Sequence, residues 1–581
     1  MSEPMDATEN GTITNLIPRW TYNDYAGTLT PYEYVYSLKN DLVRQSQAIE
    51  IVADRAKAVG YKTFKGTYTA YKKTLAGSSA NPFSNTTEFD GQPLELECAN
   101  YIADDMGVFT SGPNGQIQVC SHPIMPIKRL VNIDTGEVKQ EIAFKRGNRW
   151  RTAIFNKTTL GSAQKIIELA GCGVGVDSEN ARELVKYLSA LENENYDRIP
   201  EVKSVGRLGW VKGYGFSPYV DSLVFDGEAT YKHAFESVHS YGSKDAWMTL
   251  AGRVRAGKSI VARCALAASF ASVLVGMLDA LPFMVHMWGG AGAGKTVGLM
   301  LAASVWAAPS VGDFTRSFNG TPVASELSAA FCGSLPLCLD ELQCIKGRKD
   351  FDDIIYMLCE GVGKARGAKG GGLQRMGTWR NCTISTGEMP LTTSISGGGA
   401  LNRVIELDCA DEQLFEDPRE AVAIMTHNYG YAGKAFIAEL NREDVQKYAR
   451  EAQESFYSLL SGKVTDKQAL AASVIMTADA VADLVLFEDG RALTVDEILP
   501  RLITNAQANT HRHAYAWLCD LVASNPSRFT VGFGGEYAGE CWGCVENDRA
   551  WIIKGIFDRE MTKQGYNSDS FLSWAKRAGL I

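Results

Sequence analysis

This sequence of 581 residues has few closely spaced cysteines, no excess of positive charge and few long apolar runs. The net charge is −9, so the whole molecule is not a polycation, and a nucleic-acid partner would have to be held by a local basic patch. The 13 cysteines stand singly except for Cys541 and Cys544, which argues against a disulfide framework and leaves only a weak zinc signal. This pattern is typical of reduced thiols in a cytosolic protein.

The sequence also lacks an obvious membrane or secretion signal. The apolar stretch at residues 264–278 lies between two charged residues and is shorter than the roughly 20 residues that a membrane-spanning helix needs. The N-terminal stretch MSEPMDATENG is acidic and polar, unlike a secretory signal peptide. With 45% apolar and 22% charged residues, the composition is that of an ordinary globular protein. We therefore expect a cytoplasmic protein without a membrane partner.

Composition and periodicity predict several domains, as expected for a chain of this length. Short β-like runs around one helical segment indicate an N-terminal α+β domain, and alternating helices and apolar strands indicate a nucleotide-binding domain with a parallel sheet. A Gly-rich hairpin between helices near the C terminus suits a winged-helix fold. The predicted regions are a helical segment and linker at 1–93, the α+β domain at 94–245, the nucleotide-binding domain at 246–410, a helical region at 411–508 and the winged-helix candidate at 509–581.

Two stretches fit the phosphate-loop pattern G-x-x-x-x-G-K-[ST], namely GRVRAGKS at 252–259 and GGAGAGKT at 289–296. A working phosphate loop leaves a buried strand and opens a helix, so that backbone N–H groups at the helix start point at the phosphate. The apolar run LPFMVHMW precedes the second stretch and a helical run follows it, whereas SKDAWMTLAG, before the first, has no strand character. We therefore predict that 289–296 binds phosphate and that 252–259 is a chance resemblance at a helix start.

The second stretch predicts the binding of ATP together with Mg²⁺. The backbone of residues 290–294 would cradle the phosphates, Lys295 would neutralise the β- and γ-phosphate oxygens, and the Thr296 hydroxyl would hold the metal ion. The predicted nucleotide-binding residues are Gly289, Gly290, Ala291, Gly292, Ala293, Gly294, Lys295 and Thr296.

Two further strands predict the rest of a catalytic constellation. In SLPLCLDEL an apolar strand ends at Asp340, predicted to hold Mg²⁺, and Glu341, predicted to polarise the attacking water as general base. An acidic pair after a strand is often only a solvated turn, but the phosphate loop upstream favours the catalytic interpretation. In RNCTISTGE, at 380–388, Thr386 is the candidate sensor of the γ-phosphate and Ser385 is the second choice.

Two basic features predict contacts beyond a subunit's own nucleotide. Arg403 follows a Gly-rich loop and precedes a strand; such an arginine either reaches into a neighbouring subunit to stabilise charge on the γ-phosphoryl group or is a plain surface residue. Between the acidic pair and the sensor strand, a Gly-rich segment carries a basic cluster that would grip DNA backbone phosphates or would simply be a solvated loop. The predicted DNA-binding residues are Lys364, Arg366, Lys369 and Arg375.

Six stretches resemble family nine-two-seven of the domains of unknown function, over roughly residues 95–410: RLVNIDTGEVKQEIAF, GRLGWV, MWGGAGAGKTVGLMLAASVWAAP, LPLCLDEL, GVGKARGAKGGGLQRMGTWRNCTISTGE and GGGALNRVIEL. That family is associated with helicases of phages, integrative elements and staphylococcal cassette chromosomes. The resemblance implies an α/β P-loop core of the AAA+ type, of helicase superfamily three or MCM-like, in a homo-oligomeric ring that is expected to be a hexamer. Where the family has Ser in the phosphate loop, this chain has Ala291.

The resemblance also implies roles for particular residues. A pre-sensor hairpin, which lines the pore of such rings and grips DNA, falls on residues 361–380. The roles of metal ligand, general base, sensor and trans-acting arginine carry over, and the residues concerned are Asp340, Glu341, Thr386 and Arg403.

These observations predict a multidomain protein with an AAA+ type ATPase core, an N-terminal α+β domain and a helical C-terminal region. The main hypothesis is an ATP-dependent ring helicase or translocase that acts on single-stranded or forked DNA. It would work in the replication of a phage or mobile genetic element, in the cytoplasm of a prokaryotic cell or phage-infected host. Two alternatives stay open, a packaging-type motor and an ATP-switched replication initiator or scaffold without unwinding activity.

Overall fold

The computed structural model describes residues 17–38, 41–77, 85–113, 115–318, 320–341, 348–367, 372–392, 398–410, 412–505, 507–532 and 539–581. The chain divides into two compact units, Met1–Arg129 with Gln140–Pro200 and Leu130–Lys139 with Glu201–Ile581. The division after Pro200 differs from the domain boundary predicted after residue 245. The reason is that Leu208, Phe216 and Val238 pack into the same hydrophobic core as the parallel sheet of the second unit.

The first unit combines a helical segment with an α+β segment. Aromatic rings fill the core of the helical segment, where Tyr32 stacks on Phe64 with 5.3 Å between ring centroids and its hydroxyl donates to the Tyr25 carbonyl. The α+β segment has a core of its own, in which Tyr187 is fully buried. Strands β1, β2 and β3 form an antiparallel sheet in that order. Up to residue 200 the helices are Tyr22–Gly27, Thr30–Ser37, Leu42–Ala58, Phe64–Gly77, Lys157–Leu160 and Ala181–Glu194, and the strands are β1 (Ile102–Asp104), β2 (Gly107–Gly112), β3 (Gly115–Cys120), β4 (Ile124–Asn132), β5 (Val138–Arg146) and β6 (Arg149–Asn156).

Within the second unit, two strand pairings precede the main sheet. Strand β7 (Glu201–Val205) pairs in parallel with β10 (Leu223–Phe225), and β8 (Gly209–Val211) pairs antiparallel with β9 (Gly215–Ser217) in a short hairpin. The backbone N–H of Trp210 donates to Ser334 Oγ at 2.9 Å, which fixes the hairpin against the part of the unit that carries the main sheet. The helices that follow are Ala229–Glu236, Lys244–Ala256 and Ile260–Leu274.

The main sheet of the second unit has five parallel strands in the order β12-β13-β14-β11-β15. All residues of β13 and β14 are buried, as expected for parallel strands covered by helices on both faces. After β11 the chain crosses to β12 at one edge of the sheet, and β13 and β14 then fill the positions between β12 and β11. The last strand, β15, pairs with the opposite side of β11. This change of direction makes the carboxyl end of β11 the expected ligand position. The strands are β11 (Phe283–Trp288), β12 (Arg316–Ser317), β13 (Leu337–Asp340), β14 (Cys382–Gly387) and β15 (Val404–Asp408), and the helices between them are Lys295–Ser304, Pro322–Cys332, Arg348–Glu360 and Gly398–Leu401.

Helices dominate the chain after β15, as predicted from the sequence. Asp466–Phe487 is the one helix, among the described residues, that is long and apolar enough to cross a membrane. However, 67% of its apolar window is buried, and it packs against Ile260–Leu274 and Glu443–Leu460, so it serves as a core helix of the second unit. The helices of this region are Pro418–His427, Tyr431–Leu440, Glu443–Leu460, Asp466–Ala482, which a π-helical segment continues to Phe487, and Val495–Ile498.

The C-terminal segment has a small core of its own. Leu518, Phe557, Met561 and Phe571 meet there, beside a sheet in the order β16-β17-β18. Its last two helices, Lys554–Lys563 and Ser568–Arg577, are joined by a turn of four residues, Gln564 to Asn567. The other elements are the helix Thr510–Ser524 and the strands β16 (Phe529–Val531), β17 (Gly543–Glu546) and β18 (Arg549–Ile552).

Candidate functional site

The predicted phosphate loop connects the end of β11 to the start of the helix Lys295–Ser304. Gly294, the residue before this helix, has a φ of 81°, in the left-handed region that glycine adopts without strain. The first helical N–H groups have no partners within the helix and face the loop, which creates a binding position for an anion. The strand, loop and helix therefore follow one another in the order that phosphate binding requires.

Lys295 points back over the loop from the first turn of the helix. Its ammonium group donates to the carbonyl oxygens of Gly289 at 2.8 Å and Gly290 at 2.7 Å. Both acceptors belong to the loop itself, so the charge of Lys295 lies where phosphate oxygens could take over its hydrogen bonds.

A cluster of three oxygen-bearing side chains lies at the carboxyl ends of β13 and β14, next to the loop. Asp340 Oδ1 accepts hydrogen bonds from Thr386 Oγ1 and, at 3.4 Å, from Thr296 Oγ1. Asp340 and Thr386 are 7% and 2% exposed, so both are held by packing. The structure thus brings together three residues that are predicted from separate motifs. Carboxylate and hydroxyl oxygens are the ligand types that Mg²⁺ prefers.

Glu341 differs from Asp340 in both exposure and backbone conformation. Its side chain is exposed, and its φ of 60° is unusual for a residue other than glycine. Its backbone N–H donates to Asp340 Oδ1 at 3.1 Å and Thr386 Oγ1 at 3.3 Å, which anchors the main chain while the carboxylate faces outward. Such left-handed residues concentrate at functional sites because the surrounding structure must hold the strain.

Ser385, the second choice for a sensor, does not face this cluster, because neighbouring residues of a strand point to opposite faces. Its hydroxyl instead meets His286 Nδ1 at 2.9 Å, and His286 Nε2 lies 3.1 Å from the Met389 carbonyl. Burial lowers the pKa of His286 to about 4, so the imidazole is neutral at physiological pH. His286 therefore links β11 to β14 directly behind the loop. A histidine in the otherwise apolar run LPFMVHMW was the signal that could have identified it.

Arg403 lies at the other end of the sheet from the phosphate loop. Its carbonyl accepts from Met284 N at the start of β11, whereas the loop begins after the last residue of that strand. The guanidinium donates to the Gly399 carbonyl at 2.8 Å and lies 4.7 Å from the centroid of the Tyr356 ring. This position is far from the predicted phosphate loop of the same chain.

The described residues of the predicted basic segment, 361–367 and 372–379, pair as the two arms of a hairpin. Val362 bridges to Thr378 and Gly367 to Leu373, and we call the segment 361–379 the basic hairpin. Lys369, one of the predicted DNA contacts, lies outside the described residues.

The other three predicted DNA contacts of the basic hairpin differ in their surroundings. Lys364 and Arg375 are exposed. Arg366 donates to both carboxylate oxygens of the buried Glu326, at 2.8 and 2.6 Å. The hydrogen bonds from Arg366 are the main reason that the pKa of Glu326 is lowered. Arg366 therefore contributes first to holding the hairpin, a contact that the sequence did not indicate.

The other stretch with a phosphate-loop pattern, 252–259, lies where two helices meet. Its residues 252–256 form the last turn of the helix Lys244–Ala256, and Ser259 caps the next helix by accepting from Ala262 N at 3.1 Å. With residues 412–417 this stretch lines a cavity of about 580 Å³. Leu414, in the wall of that cavity, also packs against the phosphate loop, because a Cβ on Gly294 would lie 3.5 Å from Leu414 Cβ.

Comparisons with known proteins agree with this organisation. Residues 102–378 match the family described as "Domain of unknown function (DUF927)", and residues 509–581 match the "Cch helix turn helix domain". A solved structure described as "SCCmec type IV Cch - active helicase" is similar with a TM-score of 0.57 and 19% identity, over 81% of this chain and 91% of that chain. No curated protein matches the chain.

A second solved structure, "The A form apo structure of NrS-1 C terminal region-CTR", has 12% identity over 65% of this chain and 91% of that chain; its TM-score of 0.23 is too low to support an argument. The 0.57 TM-score of the first shows that this chain shares its multidomain α/β fold. Residues 102–378 of this chain belong to the DUF927 family, and a helix-turn-helix domain follows them at residues 509–581.

Proposed function

We propose that this protein is an ATP-dependent ring helicase or translocase with an AAA+ type core, acting on DNA in the replication of a phage or mobile genetic element. The observation that carries the proposal is the convergence of Thr296, Asp340 and Thr386 beside a glycine-rich loop at the carboxyl edge of a parallel sheet. A solved structure with the same fold is described as an active helicase, which adds support. The cytoplasm of a prokaryotic or phage-infected cell is the proposed location.

ATP would bind with its phosphates on the loop and its base in the adjoining cavity. The helix N-terminus and Lys295 supply positive charge for the phosphates. The cavity of about 580 Å³ beyond Leu414 is large enough for a base and ribose, and Val254 and Phe415 add apolar surface to its wall. In this arrangement the stretch 252–259 contacts the nucleotide through the base, although it holds no phosphate.

Thr296 and Asp340 would hold Mg²⁺, which, when bound, adds positive charge at the phosphates. Glu341 would orient and deprotonate the attacking water, because its carboxylate is exposed beside Asp340. Thr386 would connect the state of the γ-phosphate to β14, since its hydroxyl already donates to Asp340.

The position of Arg403 supports a ring. Arg403 lies at the end of the sheet away from the phosphate loop of its own subunit, whereas a head-to-tail neighbour could present its Arg403 there. The guanidinium would then stabilise charge that develops on the γ-phosphoryl group. A homo-oligomeric ring, six subunits in the related class, would complete each site.

DNA would be gripped by the basic hairpin in the centre of the ring. Lys364 and Arg375 are exposed and their contacts with phosphates would not depend on sequence. The segment 361–379 lies directly before β14, so a change at Thr386 can move the hairpin. The helix-turn-helix domain would add a second contact with duplex DNA.

The helix-turn-helix domain also favours a second candidate function, an ATP-switched replication initiator that assembles on DNA but does not unwind it. The two functions are separated by a strand-displacement assay on a forked duplex with Mg²⁺ and ATP. Displacement that requires ATP hydrolysis supports the helicase. ATP-dependent assembly on DNA without displacement, by protein that hydrolyses ATP, supports the initiator.

A further inference from the structure

A groove of about 890 Å³ lies at the end of the sheet opposite to the nucleotide site. Its floor consists of residues that come just before β11, β13 and β14, such as Gly276, Gly333 and Arg380. One wall is the β8–β9 hairpin and the other is the base of the basic hairpin, at Gly361 and Thr378. All of these residues belong to the second unit.

The groove is positively charged in a chain whose net charge is −9. Among the described residues that line it are three cations, Arg207, Lys212 and Arg380, and no aspartate or glutamate. Arg207 is neutralised by Asp134, at 2.7 Å. Lys212 and Arg380 are exposed and make no ion pair within the described part of the chain.

Aromatic rings accompany these cations. Tyr214, at the turn of the β8–β9 hairpin, is 40% exposed. The indole of Trp210, in the same hairpin, is fixed by two contacts. Its Nε1 donates to the Val273 carbonyl at 2.9 Å, and its ring packs edge-on against Phe216 with 5.0 Å between ring centroids. The hairpin thus presents an exposed ring on a rigid support.

The groove is also connected to the nucleotide site through the main chain. Arg380 N donates to the Gly333 carbonyl at 2.9 Å, and two residues later β14 begins, the strand that carries Thr386. A ligand on Arg380 would therefore contact the segment between the basic hairpin and the γ-phosphate sensor.

We propose that this groove is a second binding surface for single-stranded DNA, in which Lys212 and Arg380 contact phosphates and Tyr214 stacks on a base. Proteins that bind single-stranded DNA without sequence preference combine a positively charged groove, which contacts the DNA backbone, with exposed aromatic rings, on which bases stack. The five glycines of the lining leave backbone exposed and allow a strand to approach closely. The inference rests on the proposed function, because it extends the path of DNA beyond the basic hairpin.

The test uses the full chain with a non-hydrolysable ATP analogue and a fluorescein-labelled oligothymidylate, with anisotropy measured over a series of salt concentrations. We expect Tyr214→Ala to weaken binding about five-fold or more, from the loss of one stacked base, and Tyr214→Phe to retain it. We expect Lys212→Gln with Arg380→Gln to flatten the slope of log Kobs against log salt by about 1.4, for two phosphate contacts on a single strand.

The matched control is on the helix Glu443–Leu460, where Tyr448 is 39% exposed and Lys447 and Arg450 are exposed beside it. Tyr448→Ala, and Lys447→Gln with Arg450→Gln, should leave affinity and salt slope unchanged. In wild-type protein, the oligothymidylate should also protect Lys212 from acetylation and leave Lys447 reactive, which tests the groove without any substitution.

Each other outcome contradicts the proposal in a distinguishable way. If the groove variants bind the oligothymidylate like the controls, and Lys212 is not protected from acetylation, the groove does not bind DNA. The proposed helicase function would not be affected by that result. Groove variants whose solution mass falls below that of the wild-type ring would instead identify a subunit interface. Wild-type protein that binds no single strand at all would overturn the proposed function and the groove with it.

Discussion

Replacing Arg403 by alanine distinguishes catalysis within one subunit from catalysis across a ring interface. Arg403 stands level with the first residue of β11, and the phosphate loop begins beyond the last. The five steps from the first to the last residue of β11, at about 3.3 Å each, alone separate the two positions by at least about 16 Å. At that distance two unit charges interact by about 1 kcal/mol at an effective dielectric constant of 20 and by about 0.3 kcal/mol in water. Salt, with a screening length of about 8 Å, reduces both values further.

Within its own subunit, therefore, Arg403 can change the hydrolysis rate by less than about six-fold. An arginine that touches the γ-phosphoryl group of a neighbour contributes about 10³- to 10⁵-fold in kcat. The two expectations differ by more than two orders of magnitude, so the rate of Arg403→Ala decides between them. We expect the large loss, with ATP binding retained, because phosphate binding depends on the loop and not on Arg403.

The assay is steady-state ATP hydrolysis by Arg403→Ala, by Glu341→Gln and by their mixtures, with solution mass and thermal unfolding as controls. In mixed rings an interface works when the first variant supplies the base and the second supplies the arginine. Equal mixing makes about one interface in four competent, so the activity should return to a measurable fraction of wild type. A loss below ten-fold for Arg403→Ala, or no recovery in rings confirmed to be mixed, would refute the trans-acting role.

The remaining predictions concern the loop and the basic hairpin. Lys295→Ala should abolish ATP hydrolysis, whereas Lys258→Ala should leave the rate at saturating ATP nearly intact; the reverse result in a hydrolysis assay would assign the phosphate to the other loop. Arg366→Gln should lower the free energy of unfolding in chemical denaturation, because the substitution leaves the buried Glu326 carboxylate without its ion-pair partner. The pKa of Glu326 in the folded protein is lowered from 4.5. The difference in stability between wild type and Arg366→Gln should therefore be complete at pH 7 and disappear as the pH falls through this lowered pKa. A difference in stability that grows in acid would contradict the prediction. Neutralising three cations of the basic hairpin, Lys364, Lys369 and Arg375, should weaken DNA binding, flatten its salt dependence and stop unwinding, while ATP binding persists. Unchanged DNA binding in an anisotropy titration would count against a role of the hairpin in binding DNA.

The positions of the predicted phosphate loop and of the acidic pair in the fold could be predicted from the sequence because their signals are local. A buried strand, a glycine-rich bend and a helix follow one another within residues 281–305, whereas a helix ends and another begins around 252–259, where the sequence before residue 252 has no strand character. Asp340 is the last residue of β13 and Thr386 the last but one of β14, and parallel strands bring their carboxyl ends to one edge of the sheet. The choice of Thr386 over Ser385 agrees with the alternation of side chains along β14.

Features that depend on long-range packing could not be predicted in this way. The Glu326–Arg366 pair joins a helix to a hairpin 40 residues away, and no periodicity reports such a contact. The cavity beside the loop combines 252–259 with 412–417, and the groove combines segments from Arg207 to Arg380. The division after Pro200 likewise depends on which core the strands of 201–225 join, which composition alone does not decide.

Strand displacement on a forked DNA duplex, by wild-type protein and by Glu341→Gln, tests the central claim most directly. The substitution keeps the size of the side chain and removes its ability to accept a proton, so ATP and DNA should still bind while turnover collapses. The proposed helicase predicts displacement by wild-type protein with ATP and Mg²⁺, none with the non-hydrolysable analogue and none by Glu341→Gln. Wild-type protein that hydrolyses ATP and binds the fork without displacing the strand would contradict the helicase, and equal displacement by Glu341→Gln would contradict the assigned catalytic base.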